Sequence, residues 1–281
     1  MDDVEVGSIE DTGMWLDSAG VEATLRAGLA SQPPHLADPK LHVASEIGVW
    51  GLHHGLLEGE SAGVMKAIES VAHDKDWILL ETPPMGKWTN ALTEGRKVTA
   101  FSPDRTVLER FAPKSAGENS RIVGEVRDAF RHMKLNPVKE GRILVWPGLP
   151  FNRMSPQGFP YLLRYIGQVM RDDDYLVMGG VVGSALKLQG LCRSERVRRS
   201  AKKLMGWALP EAVGGQFDWS ADGRALTLSW KSENEGPVSL NTWWSLDGKT
   251  IEGTFDFAGL EHTYQCSMGG ARAWVLQKRP R

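Results

Sequence analysis

The stretch DWILLETPPMGKWTNALTEGRKVTAFSPD, Asp76 to Asp104, decides the fold. WILLE is a short apolar run that ends in a carboxylate, and TPPMG is a turn built from proline and glycine. KWTNALTEG has the length of a short helix closed by Gly95. KVTAF is a second apolar, β-branched run. Strand, turn, helix and strand in this order make the unit from which parallel sheets are assembled. In such sheets, ligands bind at the carboxyl ends of the strands, beside turns like TPPMG.

Downstream, the alternation continues. SPDRTVLERFA reads as a helix that Ser102 or Asp104 could cap. RIVGEVRDAFRHM fits two periods. Read as a strand, IVGEV ends near Asp128; read as a helix, Ile122, Val126, Phe130 and Met133 share one face. The strand start is preferred because it keeps strands and helices alternating. GRILVWPGLPF is a strand stopped by Pro147, Gly148 and Pro150. SPQGFPYLLRYIGQVMRDDD is a helix facing inward through Leu162, Leu163, Ile166, Val169 and Met170. DYLVMGGVVG is apolar almost throughout, as a parallel strand covered on both faces should be. From Leu186 to Leu209 the chain reads as helical, with six basic residues between Arg193 and Lys203.

Beyond that point the texture changes. Five of the 11 tryptophans fall between Trp207 and Trp244. QFDWSADGRALTLSW reads as a hairpin through an Asp-Gly turn. PVSLNTWWSLDGKTIEGTFDF reads as a second hairpin turning at Asp247-Gly248. The chain closes with AGLEHTYQC, a Gly-Gly turn and ARAWVLQKRP. Upstream of the opening stretch, Met1 to about Gly13 is an acidic arm, and Trp15 to Leu29 has helical spacing. Ser61 to His73 forms an amphipathic helix through Val64, Ile68 and Val71 that leads into WILLE.

The whole chain has 281 residues, 41% of them hydrophobic, with a formal net charge of −2. That balance excludes a protein whose entire surface grips nucleic acid. Cys192 and Cys266 form neither a disulfide framework nor a CxxC metal site, so a reducing compartment is expected. No apolar run approaches the roughly 18–20 residues of a membrane span. The acidic N-terminus has no apolar signal region. A cytoplasmic protein without a membrane partner is the expectation.

Residues 61–190 and 255–281 resemble a class I (Rossmann-like) S-adenosylmethionine-dependent methyltransferase. The likeness lies in the order of elements, including a terminal hairpin similar to the family's antiparallel sheet edge. It implies an α/β sheet with helices on both faces, an N-terminal helical extension and a β-meander elaboration. The corresponding divisions are 1–75 (arm and helices), 76–190 with 255–281 (core), and 191–254 (basic helix and tryptophan-rich meander). It also implies S-adenosyl-L-methionine as cofactor, methyl transfer to a small-molecule acceptor, and no metal. By position, Glu81 stands for the first-strand acid, and Thr82, Met85 and Gly86 for the glycine-rich turn. Ser102 stands at the ribose position and Asp128 for the adenine-side acid. Pro147 adjoins the cofactor after the fourth strand, and Trp146, Phe151 and Asn152 fall where the family faces its substrate. WPGLPFN resembles the N/D-P-P-Y/F motif of amino-group methyltransferases with its order changed. GLPFNRMSPQGFPYLLRYIG is similar in rhythm to the matching element of histidine-betaine-type enzymes. The chain departs from the pattern at Pro83 and Pro84, which have fixed φ and no N–H, and at Ser102, where the family has a carboxylate. A methyltransferase-like subunit that binds or scaffolds without catalysis is therefore a second reading.

Other constellations carry less. His53-His54 with Glu58 lacks a third ligand at metal spacing. His262, Tyr264 and Cys266 alternate on a strand and are expected on one face, with no oriented nucleophile–base pair. The basic stretch Arg193–Lys203 and the tryptophans together suit RNA, through phosphate neutralisation and base stacking. The meander fits equally a lid over a small-molecule pocket or a surface for a homo- or hetero-oligomer.

Overall fold

The computed structural model describes residues 62–71, 75–80, 97–102, 120–123, 126–146, 150–183, 216–222, 224–231, 238–268 and 271–280. Helix α1 spans 62–69. Strands β1 (Asp76–Leu79), β2 (Val98–Ser102) and β3 (Ser120–Val123) follow, then helix α2 (Val126–Leu135) and β4 (Arg142–Trp146). Next come α3 (Pro150–Arg153), α4 (Phe159–Val169) and β5 (Tyr175–Val181). Strands β6 (Gln216–Ala221), β7 (Ala225–Lys231) and β8 (Val238–Trp244) precede α5 (Gly248–Ala258), β9 (Leu260–Met268) and β10 (Ala271–Lys278).

Among the described residues these strands form two sheets, one ordered β3-β2-β1-β4-β5-β10-β9 and one ordered β6-β7-β8. The first five strands of the larger sheet run parallel. Strand β10 pairs antiparallel with both β5 and β9. A parallel sheet extended by an antiparallel terminal hairpin is the class I methyltransferase sheet that the sequence predicts. RIVGEVRDAFRHM divides between the two elements it could form: a strand to Val123, then a helix from Val126.

Burial explains why these segments are strands. All of β4 is buried, and β5 is buried from Leu176 through Val181. Such strands need cover on both faces. One face meets α2, α4 and α5: Ile78, Leu144, Trp146, Met178 and Leu276 join a cluster with Phe130, Leu163, Ile166 and Phe255. The other meets α1, where a Cβ at Gly63 would lie 3.2 Å from Ala273 Cβ. Helices α4 and α5 touch so closely that a Cβ at Gly167 would come within 2.5 Å of the Ala258 carbonyl oxygen. Only glycine permits that approach.

The second expected hairpin is absent. Asp247 instead caps α5, its carboxylate accepting from the Thr250 N–H at 2.7 Å. Gly248 is the first helical residue, and Gly259 closes the helix at φ 69°, in the left-handed region glycine favours. An Asp-Gly pair serves a turn or a helix start, and the buried residues Ile251, Thr254, Phe255 and Ala258 at helical spacing decide for the helix. This helix crosses position 254, where the sequence reading divides the elaboration from the core. A register shift on β9 brings a second correction. Tyr264 pairs with Val275 but His262 pairs with Leu276, and these two neighbours point to opposite faces. His262 therefore does not share a face with Tyr264 and Cys266.

Candidate functional site

Because β1 connects onward to β2 on one side and β4 lies on its other side, the crevice at their carboxyl ends is a topological switch point. There β2 and β3 run two residues beyond the end of β1. Leu79 pairs with Ala100 on β2 and Val145 on β4, and the Leu80 N–H donates to the Val145 carbonyl at 2.8 Å. Ser102 is the last residue of β2 and pairs with Val123, the last residue of β3. Helix α2 begins three residues later and holds Asp128, half-buried, in its first turn. A helix start at this edge presents N–H groups without intrahelical partners and the positive end of the helix dipole. Ser102 and Asp128 thus stand at the same edge of the sheet, on β2 and on the helix after β3. Glu81, Thr82, Met85, Gly86 and Pro147 lie outside the described residues, as do His53, His54, Glu58 and Arg193–Lys203.

The three residues expected to face a substrate do something else. Trp146 is 1% exposed and packs at 5.9 Å from the Phe159 ring. Phe151 is 1% exposed and contacts Phe159, Phe255 and Trp274 at 4.8–5.6 Å between centroids. Asn152 is wholly buried. Its Nδ2 donates to the carbonyls of Val181 and Trp244, both at 2.9 Å, and its Oδ1 accepts from the Val181 N–H at 2.8 Å. Aromatic character and position after β4 suit a packing cluster as well as a substrate wall, and no local signal separates the two.

The amino edge of the sheet has its own polar group. Arg142, 4% exposed, donates to the Met133 and Asn136 carbonyls at the end of α2, the acceptors a helix terminus leaves over. Asp174 is wholly buried and accepts from the N–H groups of Arg142 (2.7 Å) and Arg171 (2.8 Å). Burial pushes its carboxyl up, against the pull of those two N–H groups and the Arg142 guanidinium. Burial, and then the same guanidinium, hold His132 below its ordinary value. A cleft of about 340 Å³ opens here beside Asp76, Lys97, His132, Asn136 and Arg142. Its polar groups serve one another: Lys97 pairs with Asp76 at 3.8 Å, and the Asn136 amide meets His132 Nδ1 at 3.2 Å. It also lies at the wrong end of the strands for a switch-point ligand, so it is structural.

Among the described residues, no group of three or more metal-ligating side chains comes together, and no helix is long and apolar enough to cross a membrane. Burial raises the Cys266 thiol, and its Sγ donates to the Gly63 carbonyl at 3.2 Å, so it is not poised as a nucleophile.

No protein-family model matches the chain, and no curated protein matches it. Solved structures resemble it at low identity. One is an S-adenosylmethionine-dependent methyltransferase from Clostridium acetobutylicum, 7% identical, covering 80% of this chain and 92% of that one at a TM-score of 0.44. Another is the CcbJ methyltransferase from Streptomyces caelestis, 12% identical, covering 80% and 90% at 0.44. A third is the glycopeptide N-methyltransferase MtfA complexed with S-adenosylmethionine, 11% identical, covering 79% and 88% at 0.45. The strand order, rather than these alignments, assigns the fold: the chain carries the Rossmann-like sheet of class I methyltransferases.

Proposed function

We propose that the chain transfers a methyl group from S-adenosylmethionine to a small-molecule acceptor. The observation that carries this reading is the switch-point crevice between β1 and β4, with Ser102 and the first turn of α2 on its rim. These residues fit the ligand. The Ser102 hydroxyl suits a ribose hydroxyl, and Asp128 at a helix start suits the adenine amino group. The cofactor, when bound, supplies the electrophilic methyl. The chain's own task is to align an acceptor in line with it and to exclude water, with a base near the acceptor where a proton must leave. Titration calorimetry with S-adenosylmethionine and S-adenosylhomocysteine tests the reading. Micromolar binding of either supports it, and binding of neither contradicts it.

One observation favours a second reading, a non-catalytic binding subunit. Pro83 and Pro84 replace the family's glycines, and neither has an N–H to donate. Methyl turnover by the isolated chain would exclude that reading. RNA docking through Arg193–Lys203 rests on charge alone. Binding that survives neutral substitution of Arg198, Arg199, Lys202 and Lys203 would remove it.

A further inference from the structure

Among the described residues, the small sheet β6-β7-β8 is joined to the core at the carboxyl ends of β4 and β5. Four contacts make the junction. Asn152, six residues beyond the end of β4, bonds Val181 at the end of β5 and Trp244 at the end of β8. Val182 forms a parallel bridge with Leu246. The Gly183 N–H donates to the Leu246 carbonyl at 3.3 Å, and Ser245 Oγ donates to the Gly183 carbonyl. Leu226 and Trp243, paired across β7 and β8 beside this junction, are wholly buried.

The chemistry at the junction selects asparagine. One backbone N–H needs an acceptor while two carbonyls need donors, and a carboxamide supplies one acceptor and two N–H donors. Aspartate would set a carboxylate against two carbonyl oxygens. Leucine would leave three backbone groups buried without partners. Glutamine, one methylene longer, would overfill a site in which Asn152 is already wholly buried.

We infer that Asn152 is a positioning residue that locks the three-stranded sheet to the carboxyl edge as a fixed wall of the crevice rather than a lid that closes over it. A lid needs a junction that opens at low free energy. This junction centres on a fully buried side chain that ties three backbone groups, and the Ser245 and Leu246 contacts reinforce it. The polar residue after β4, which by family position would meet the acceptor, here commits both amide N–H donors and its carbonyl oxygen to backbone groups. The acceptor is then read by the wall that Asn152 holds. This last step rests on the methyl-transfer reading, whereas the lock does not.

Hydrogen exchange by mass spectrometry on the full chain, with and without S-adenosylhomocysteine, tests both parts. In the parent chain, amides of 238–246 should exchange slowly and at the same rate whether or not the ligand is bound. In Asn152→Asp, the same amides should exchange about tenfold faster or more, while 142–146 and 271–278 keep their rates. Ligand-induced protection of 238–246 in the parent would show a lid and overturn the inference. So would a variant with no change, or with a rise spread evenly over the core. Should Asn152→Asp fail to fold, Ser245→Ala takes its place under the same criteria, with a local rise of about threefold. Parallel calorimetry separates the two claims: a parent chain that binds no S-adenosylhomocysteine defeats the methyl-transfer reading, and the variant's exchange pattern still decides the lock.

Discussion

The two edges of the large sheet use polar groups in different ways. At the amino edge, Arg142, Asp174 and Asn136 are turned onto backbone groups of neighbouring helices and loops. Among the described residues, these groups spend their hydrogen bonds on the protein itself. At the carboxyl edge, the strands end at Leu79, Ser102, Val123 and Trp146, and a helix starts there with its positive dipole end. The contrast shows that charge density is a poor guide to function in this fold. The charged cleft beside Arg142 serves stability, and strand polarity marks the other edge as the place for chemistry. Asn152 shows a limit to that rule, since a polar residue at the functional edge is also given wholly to structure.

Substitutions can break this contrast, and the largest effect is expected in the core beneath both edges. Phe151→Ala removes a ring that touches three other aromatics and should cost about 3–5 kcal/mol in denaturant unfolding. If Phe151 faced a substrate instead, stability would change little and ligand affinity would fall. Asp174→Ala leaves the buried N–H groups of Arg142 and Arg171 unpaired, and should cost about 2–5 kcal/mol. Affinity of the folded fraction for S-adenosylhomocysteine should stay within about threefold of the parent. A large loss of affinity would mean that the amino edge is not merely structural.

At the carboxyl edge the expected pattern reverses. Ser102→Ala or Asp128→Asn should weaken S-adenosylhomocysteine binding by roughly tenfold, equivalent to about 1.4 kcal/mol, with melting temperature nearly unchanged. Equal affinity in both variants would remove these residues from the site. The smallest effect is a pH dependence. The folded value of His132 is depressed, so between it and the ordinary histidine value the unfolded chain binds more protons. Stability should therefore be full above the ordinary value and fall as pH drops toward the lowered one. His132→Gln should flatten that slope in melting curves taken across the range.

Much of the fold was legible because buried parallel strands need apolar character on both faces. WILL, RILVW and LVMGGV are strands for that reason, and the pairing of β9 with β10 follows from two strand-like runs set on either side of Gly-Gly in the sequence. The features that stayed hidden depend on distant partners or on one motif with two uses. Asp247-Gly248 fits a hairpin turn and a helix start equally well, and the burial of Ile251 and Phe255 under α4 selects the helix. The alternation of His262, Tyr264 and Cys266 assumed an unbroken ladder, and the shift opposite Val275 and Leu276 breaks it. Asn152 looked like a substrate ligand because its partners are 29 and 92 residues away. Of the residues assigned to the cofactor, Ser102 and Asp128 come to one edge because strand order and helix direction, both readable from sequence, bring them there.

The central claim is that the crevice at the carboxyl edge of β1 and β4 holds a nucleoside-sized methyl donor. Calorimetric titration of the full chain with S-adenosylhomocysteine tests it most directly. Saturable one-site binding that weakens in both Ser102→Ala and Asp128→Asn is the predicted result. No heat of binding with either S-adenosylhomocysteine or S-adenosylmethionine, on a chain shown to be folded, would contradict it.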